Sequence, residues 1–182
     1  MDEGTKDRIH RLADLSLSQA DEILSIGTDT MPLYMGHMER VLFLDGATLT
    51  LSFTVVTALG AHFSVNHPAL HLPALVWSWR LLVIAMLACV YHNAVGINSI
   101  VHGKMWGKLM VAQVTTKRLE IAAAQEDTSA GFQEQINLSR NALLRTVRHC
   151  KYAYNAAHGV TLLAFIFLLH FVTINVQAAF GR

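Results

Sequence analysis

The chain has 182 residues, of which 53% are hydrophobic and only 15% are charged, and its net charge is +1. Soluble domains of this size usually carry about 25% charged residues. Because the deficit is concentrated in three apolar stretches, composition argues against an ordinary soluble domain. The sequence also has no glycine-rich phosphate loop, no Gly-x-Ser-x-Gly motif and no nucleophile with a base nearby, so we expect no enzymatic activity.

Residues 1–38 are predicted to form an acidic helical segment in the cytosol. Apolar residues at helical spacing favour a helix from about Thr5 to Ser25, which Gly27 would end. Thr30 can cap a second helix, with Pro32 in its first turn. The segment is polar and charged rather than a signal peptide, so the first span is expected to act as an uncleaved anchor.

Three stretches are each long enough to cross a bilayer as a helix. A hydrocarbon core of about 30 Å needs roughly 20 helical residues. We predict a transmembrane hairpin over 39–102, with spans at about 41–63 and 75–97, and a third transmembrane helix within 158–182. The connection at 64–74 has no Lys or Arg, whereas 102–157 has eight. The positive-inside rule then puts the N-terminus in the cytoplasm and the C-terminus outside.

The first span carries an acid and a line of hydroxyls. Asp45 is expected near the inner interface, with Arg40, Lys104 or His92 as its partner. Thr50, Thr54 and Thr57 share one helix face. That face is either a helix–helix contact, in which the hydroxyls bond across to another helix, or the lining of a wet pore.

The second and third spans carry polar residues near their inner ends. His92 and Asn93 are too polar for lipid contact, so we expect their part of the helix to meet protein or water. His92 and His158 could lie at similar depth on neighbouring helices, as haem-ligand pairs do. The outer loop adds His62, His67 and His71, which could bind a transition metal. Neither set has a diagnostic spacing, and we predict no metal and no cofactor.

Residues 103–157 are predicted to form a basic helical hairpin in the cytosol. The first helix continues from span two, and a polar break follows at 126–131. The second helix, from about 131 to 178, runs without a breaker into span three. The second helix carries four bases: Arg140, Arg145, Arg148 and Lys151. They could bind an anionic lipid or a small signalling ligand, or they could dock on the acidic N-terminal segment.

Two stretches resemble small bacterial membrane effectors of the Pycsar and SLATT type. Residues 44–52, with the sequence LDGATLTLS, are similar to the aspartate-containing start of the first span in Pycsar effectors. Residues 135–140, with the sequence QINLSR, precede a basic run into the last span. The resemblance implies assembly in the bacterial inner membrane and membrane disruption on receipt of a cytosolic signal.

These observations lead to one expected function and two alternatives. We expect an all-α, multi-pass protein of the bacterial inner membrane with three transmembrane helices and cytosolic helical extensions. It would form homo-oligomers in the lipid bilayer and act as a channel-like or pore-forming effector controlled by its cytosolic helices, without a nucleic-acid partner. The alternatives are a non-conducting scaffold or accessory subunit of a membrane complex, and a haem- or metal-binding membrane protein.

Overall fold

The computed structural model describes residues 3–25, 29–62, 72–123 and 131–180. They form four helices, and no strand occurs within these ranges: α1 (Glu3–Ser25), α2 (Met31–His62), α3 (Pro73–Ala123) and α4 (Gly131–Phe180). The prediction of an all-α fold is confirmed for the described residues.

Helices α2, α3 and α4 are long and apolar enough to cross a membrane. They contain 32, 51 and 50 residues, well above the roughly 20 that a bilayer core requires. As predicted, α3 continues beyond the second span, and α4 runs without interruption into the third. Gly131, the last residue of the predicted polar break, begins α4, at the predicted helix start of about 131. Gly27 and residues 126–130, where breaks are predicted, lie outside the described residues.

The chain divides into two compact units. The first unit comprises residues 1–35 and 94–150, and the second comprises residues 36–93 and 151–182. Both α3 and α4 therefore contribute one end to each unit.

The first unit is built on an apolar cluster between α1, α3 and α4. Ala20, Trp106 and Ile136 are its buried members. Asp14 of α1 also forms an ion pair with Arg118 of α3. The N-terminal helix thus packs on the helices of the basic segment, as expected. The contact is formed by the apolar cluster and by Arg118. The four bases that could dock on the N-terminal segment are exposed instead: Arg140, Arg145, Arg148 and Lys151.

The second unit is a three-helix bundle of α2, the first half of α3 and the second half of α4. Met38, Cys89 and Ala157 meet near one end of the bundle. Ala74, Leu75 and Phe171 meet near the other end, against partly buried side chains that include Val56. Residue numbers rise together along α2 and α4 and fall along α3, so consecutive helices run in opposite directions. Three successive crossings of a membrane require this order.

The outer surface of this bundle is strongly apolar. Phe43 is 79% exposed, Leu169 is 66% exposed and Leu51 is 65% exposed. Soluble monomers rarely leave such large side chains exposed in contiguous patches. These side chains suit contact with lipid or with another apolar helix.

Candidate functional site: a polar cluster between three apolar helices

Asp45 is a buried acidic residue of the second unit. It lies on α2 inside the first predicted span, and its relative exposure is 0%. The Thr161 hydroxyl on α4 faces both carboxylate oxygens, at 3.2 Å from Oδ1 and 3.0 Å from Oδ2. His158 lies close enough for an electrostatic interaction with the carboxylate. Thr161 was not among the partners expected from the sequence, which were all bases.

Next to this carboxylate, two histidines meet between α2 and α4. Nε2 of His37 lies 3.0 Å from Nε2 of His158. Their planes differ by 8° and their centroids are 5.2 Å apart. Rings stacked face to face would lie near the carbon contact distance of about 3.5–4.0 Å. The two imidazoles therefore meet end to end, nitrogen against nitrogen, rather than face to face.

A backbone contact determines which nitrogen of His158 carries a proton. Its Nδ1 lies 2.8 Å from the carbonyl oxygen of Tyr154, one turn earlier on α4. A carbonyl oxygen only accepts, so Nδ1 must be the donor. In neutral His158 the other nitrogen, Nε2, is then an acceptor. The proton between the two rings therefore sits on Nε2 of His37.

The third helix completes this group of side chains. His92 on α3 is only 2% exposed, and its ring centroid is 6.1 Å from that of Tyr154. The Tyr154 ring is in turn 4.3 Å from the His158 ring. We call the whole set the polar cluster, and it contains Asp45, Thr161, His37, His158, Tyr154 and His92.

His92 on α3 and His158 on α4 both lie beside the Tyr154 ring, so the two histidines are at similar depth on neighbouring helices, as predicted. Their use as haem ligands stays a prediction. The hydrogen-bonding partner of His158 is His37, with 3.0 Å between the two Nε2 atoms. Within the described ranges, no group of three or more histidine, cysteine, aspartate or glutamate side chains could hold a metal ion. His67 and His71 of the outer loop lie outside those ranges, so a loop site stays a prediction.

Asn93 follows His92 on α3 and is partly buried. Its Oδ1 lies 3.2 Å from Nδ1 of His92. Asn93 therefore contacts the edge of the polar cluster, and its role in packing or in a pore stays a prediction.

The predicted threonine face lies on the outside of the second unit. Thr50, Thr54 and Thr57 are exposed. Each hydroxyl donates 2.9 Å to a carbonyl of its own helix, four residues earlier. Within the single chain, these three hydroxyls therefore do not form the expected bonds to another helix. A groove of about 360 Å³ runs along this face, lined by Leu49, Thr50, Phe53, Thr54 and Trp79.

The predicted anion-binding strip on α4 is accessible. All four of its side chains are exposed: Arg140, Arg145, Arg148 and Lys151. This exposure suits a lipid head group and a soluble anion equally. It therefore does not favour either of the two expected ligands.

Three members of the polar cluster were missed by sequence analysis, although their spacing carried a signal. His37 lies eight residues before Asp45, so helical periodicity brings both to one side of α2. Thr161 follows His158 by three residues, and Tyr154 precedes it by four, which likewise keeps all three on one side of α4.

The chain matches no family model, no curated protein and no solved structure. The similarity to Pycsar and SLATT-type effectors therefore stays a prediction.

Proposed function

We propose that the chain is an integral membrane protein that assembles into an oligomer and provides a channel-like path for cations past Asp45. The supporting observation is a fully buried carboxylate on an apolar helix, held by Thr161 on a second helix. An ionisable side chain inside a membrane is costly and usually marks an ion path or a proton relay. A carboxylate attracts cations, so the proposed permeant species is positively charged.

Three spans do not enclose a pore, so the proposed path requires several copies of the chain. The surface most suited to contact between copies is the threonine face of α2. Because each hydroxyl is already bonded to its own helix, another apolar helix can cover the face without leaving a donor unpaired. This argument favours the helix–helix contact over the wet lining for these threonines.

Control by the cytosolic helices is the second part of the proposal. Helices α3 and α4 each extend from the bundle into the first unit without a break. A ligand at the exposed bases of α4 would alter the bundle only if it bound one arrangement better than another. An anionic lipid and a small signalling anion both remain candidates for that ligand. The proposed location is the bacterial inner membrane, with the N-terminus in the cytoplasm.

Planar-bilayer recording tests the conducting role. Purified wild-type protein is expected to produce cation-selective currents, and Asp45→Asn is expected to lower them by at least about tenfold, the ratio that corresponds to 1.4 kcal/mol. His170→Asn is the control, because His170 is an exposed polar residue within the apolar part of α4, nine residues beyond Thr161. Absence of current from an assembled wild-type oligomer would contradict the proposal.

A non-conducting scaffold is the second candidate, and the same threonine face favours it. The groove beside Trp79 and the exposed Phe53 offer an apolar surface for a foreign helix. Mass photometry in nanodiscs separates the two candidates. A ring of four or more copies favours the channel, whereas a monomer or dimer favours the scaffold.

A further inference from the structure

We propose that His37 and His158 form a proton-binding site that holds one added proton between their Nε2 atoms and acts as the counter-charge of Asp45. The binding of the proton follows from the geometry of the two rings. Its effect on cations at Asp45 rests on the proposed function. This inference adds protons as a second regulator of the path, besides the ligand of the cytosolic helices.

The exposed ring is the point of proton entry. His37 is exposed, whereas His158 is partly buried and Asp45 is fully buried. With the Nε2 proton of His37 donated to His158, the free lone pair of His37 is on Nδ1. A proton from water binds there and converts His37 to an imidazolium.

The charge can then move inward without any side chain moving. The proton between the rings passes from Nε2 of His37 to Nε2 of His158, across 3.0 Å. His37 is left neutral with its proton on Nδ1. His158 becomes the imidazolium, with one proton held towards the Tyr154 carbonyl and the other towards His37. The positive charge now stands beside Asp45.

The pair holds one added proton and not two. With both rings cationic, two N–H groups would face each other at hydrogen-bond distance, and neither nitrogen could accept. The like charges would also repel. The histidine pair therefore has two charge states, neutral and singly positive.

Other polar groups face this site from each helix of the bundle. On α2 the group is Asp45; on α3 they are Cys89, which lies close to Asp45, and His92, which lies beside Tyr154; on α4 the group is Tyr154. Glu39 and Arg40 follow His37 on α2 and are exposed. Asp45 is the buried carboxylate among them and has an electrostatic interaction with His158. It is therefore the group whose charge the imidazolium compensates.

The consequence for the proposed channel is competition between protons and cations. When the pair is neutral, the Asp45 carboxylate is available to a passing cation. When the pair is charged, the imidazolium compensates the carboxylate and weakens that attraction. Acid on the side that His37 faces should therefore reduce the cation current.

Nitrogen NMR of histidine-labelled wild-type protein in nanodiscs tests the site without any measurement of current. The expected result is a scalar coupling across the hydrogen bond between the Nε2 atoms of His37 and His158, with uptake of one proton by the pair on acidification. His37→Phe should abolish the coupling, and His170→Phe should leave it intact. Two assigned rings without coupling, or a pair that binds two protons, would overturn the proposal.

Bilayer currents test the link to Asp45. On acidification of the side that His37 faces, the wild-type current is expected to fall several-fold, because the histidine pair gains a positive charge. In His37→Phe the fall should be much smaller. A wild-type current that does not respond to pH would overturn the counter-charge role. If the NMR coupling is present but no variant conducts, the proton site stands and the proposed function fails.

Discussion

Thr161 of α4 places its hydroxyl 3.0 Å and 3.2 Å from the two carboxylate oxygens of Asp45 on α2. One hydroxyl proton is thereby shared between two acceptors of a buried charge. The contact joins α2 and α4 inside the bundle of apolar helices. It links the packing of the bundle to the charge that we propose for its function.

Replacing Thr161 with valine is expected to destabilise the protein by about 2 kcal/mol, because a buried carboxylate loses its hydrogen-bond donor while the volume of the side chain is kept. Thermal unfolding in detergent measures the change, and Thr161→Ser should restore most of the stability. Thr173→Val is the control, since the Thr173 hydroxyl bonds its own helix at Leu169. Equal effects of the two valine variants would contradict a special role for the Asp45 contact.

A second prediction concerns the close approach of α1 to α3 in the first unit. A Cβ atom added to Gly107 would lie 2.8 Å from Cδ1 of Leu24, which is closer than real side chains come. Gly107→Ala should therefore loosen α1, because overpacking costs about 1–3 kcal/mol. The preference of a helix for alanine over glycine, about 1 kcal/mol, offsets part of that cost. Limited proteolysis should then cut α1 faster than in the wild type.

The control for this prediction is Gly159→Ala. A Cβ atom at Gly159 meets nothing within 4 Å, and alanine favours a helix over glycine by about 1 kcal/mol. This variant should be as stable as the wild type or more so. If Gly107→Ala is equally stable and equally resistant to protease, α1 does not pack against Gly107 in solution.

The threonine face gives a third prediction. Because the Thr54 hydroxyl bonds its own helix, Thr54→Val should leave both folding and assembly unchanged. Thr54→Trp, which places a bulky side chain in the groove beside Trp79, should reduce the number of copies per particle in mass photometry. Loss of assembly in the valine variant would instead mean that the hydroxyl bonds across a contact between copies.

Membrane insertion gives a fourth prediction. Single cysteines at Arg148 and at Gln177, introduced into a variant without Cys89 and Cys150, should react with a membrane-impermeant reagent from opposite sides. Arg148→Cys should react only after the cells are opened, and Gln177→Cys should react in intact spheroplasts. Reaction of both from the same side would contradict a third crossing between these residues.

Much of the helical architecture could be predicted from the sequence because it depends on local patterns. The apolar lengths predicted α2, α3 and α4, and the absence of a breaker between the basic run and span three predicted that α4 is continuous. The helix predicted from about 131 to 178 agrees with α4, which begins at Gly131 and ends at Phe180.

The polar cluster was harder to predict because its contacts join residues far apart in the chain. Asp45 and Thr161 are separated by 116 positions, and His37 and His158 by 121. The sequence identifies Asp45 as costly to bury, but it does not say which neighbouring helix supplies the donor. The sequence predicts a base as the partner of the carboxylate, whereas the structure supplies a hydroxyl with a histidine nearby.

The most direct test of the central claim is cation flux from potassium-loaded liposomes that contain wild-type, Asp45→Asn or Asp45→Glu protein at equal copy number. The account predicts rapid flux in the wild type, a loss of at least about tenfold in Asp45→Asn and partial recovery in Asp45→Glu, which keeps the negative charge. Equal flux through the wild type and Asp45→Asn, with His170→Asn also unchanged, would contradict it.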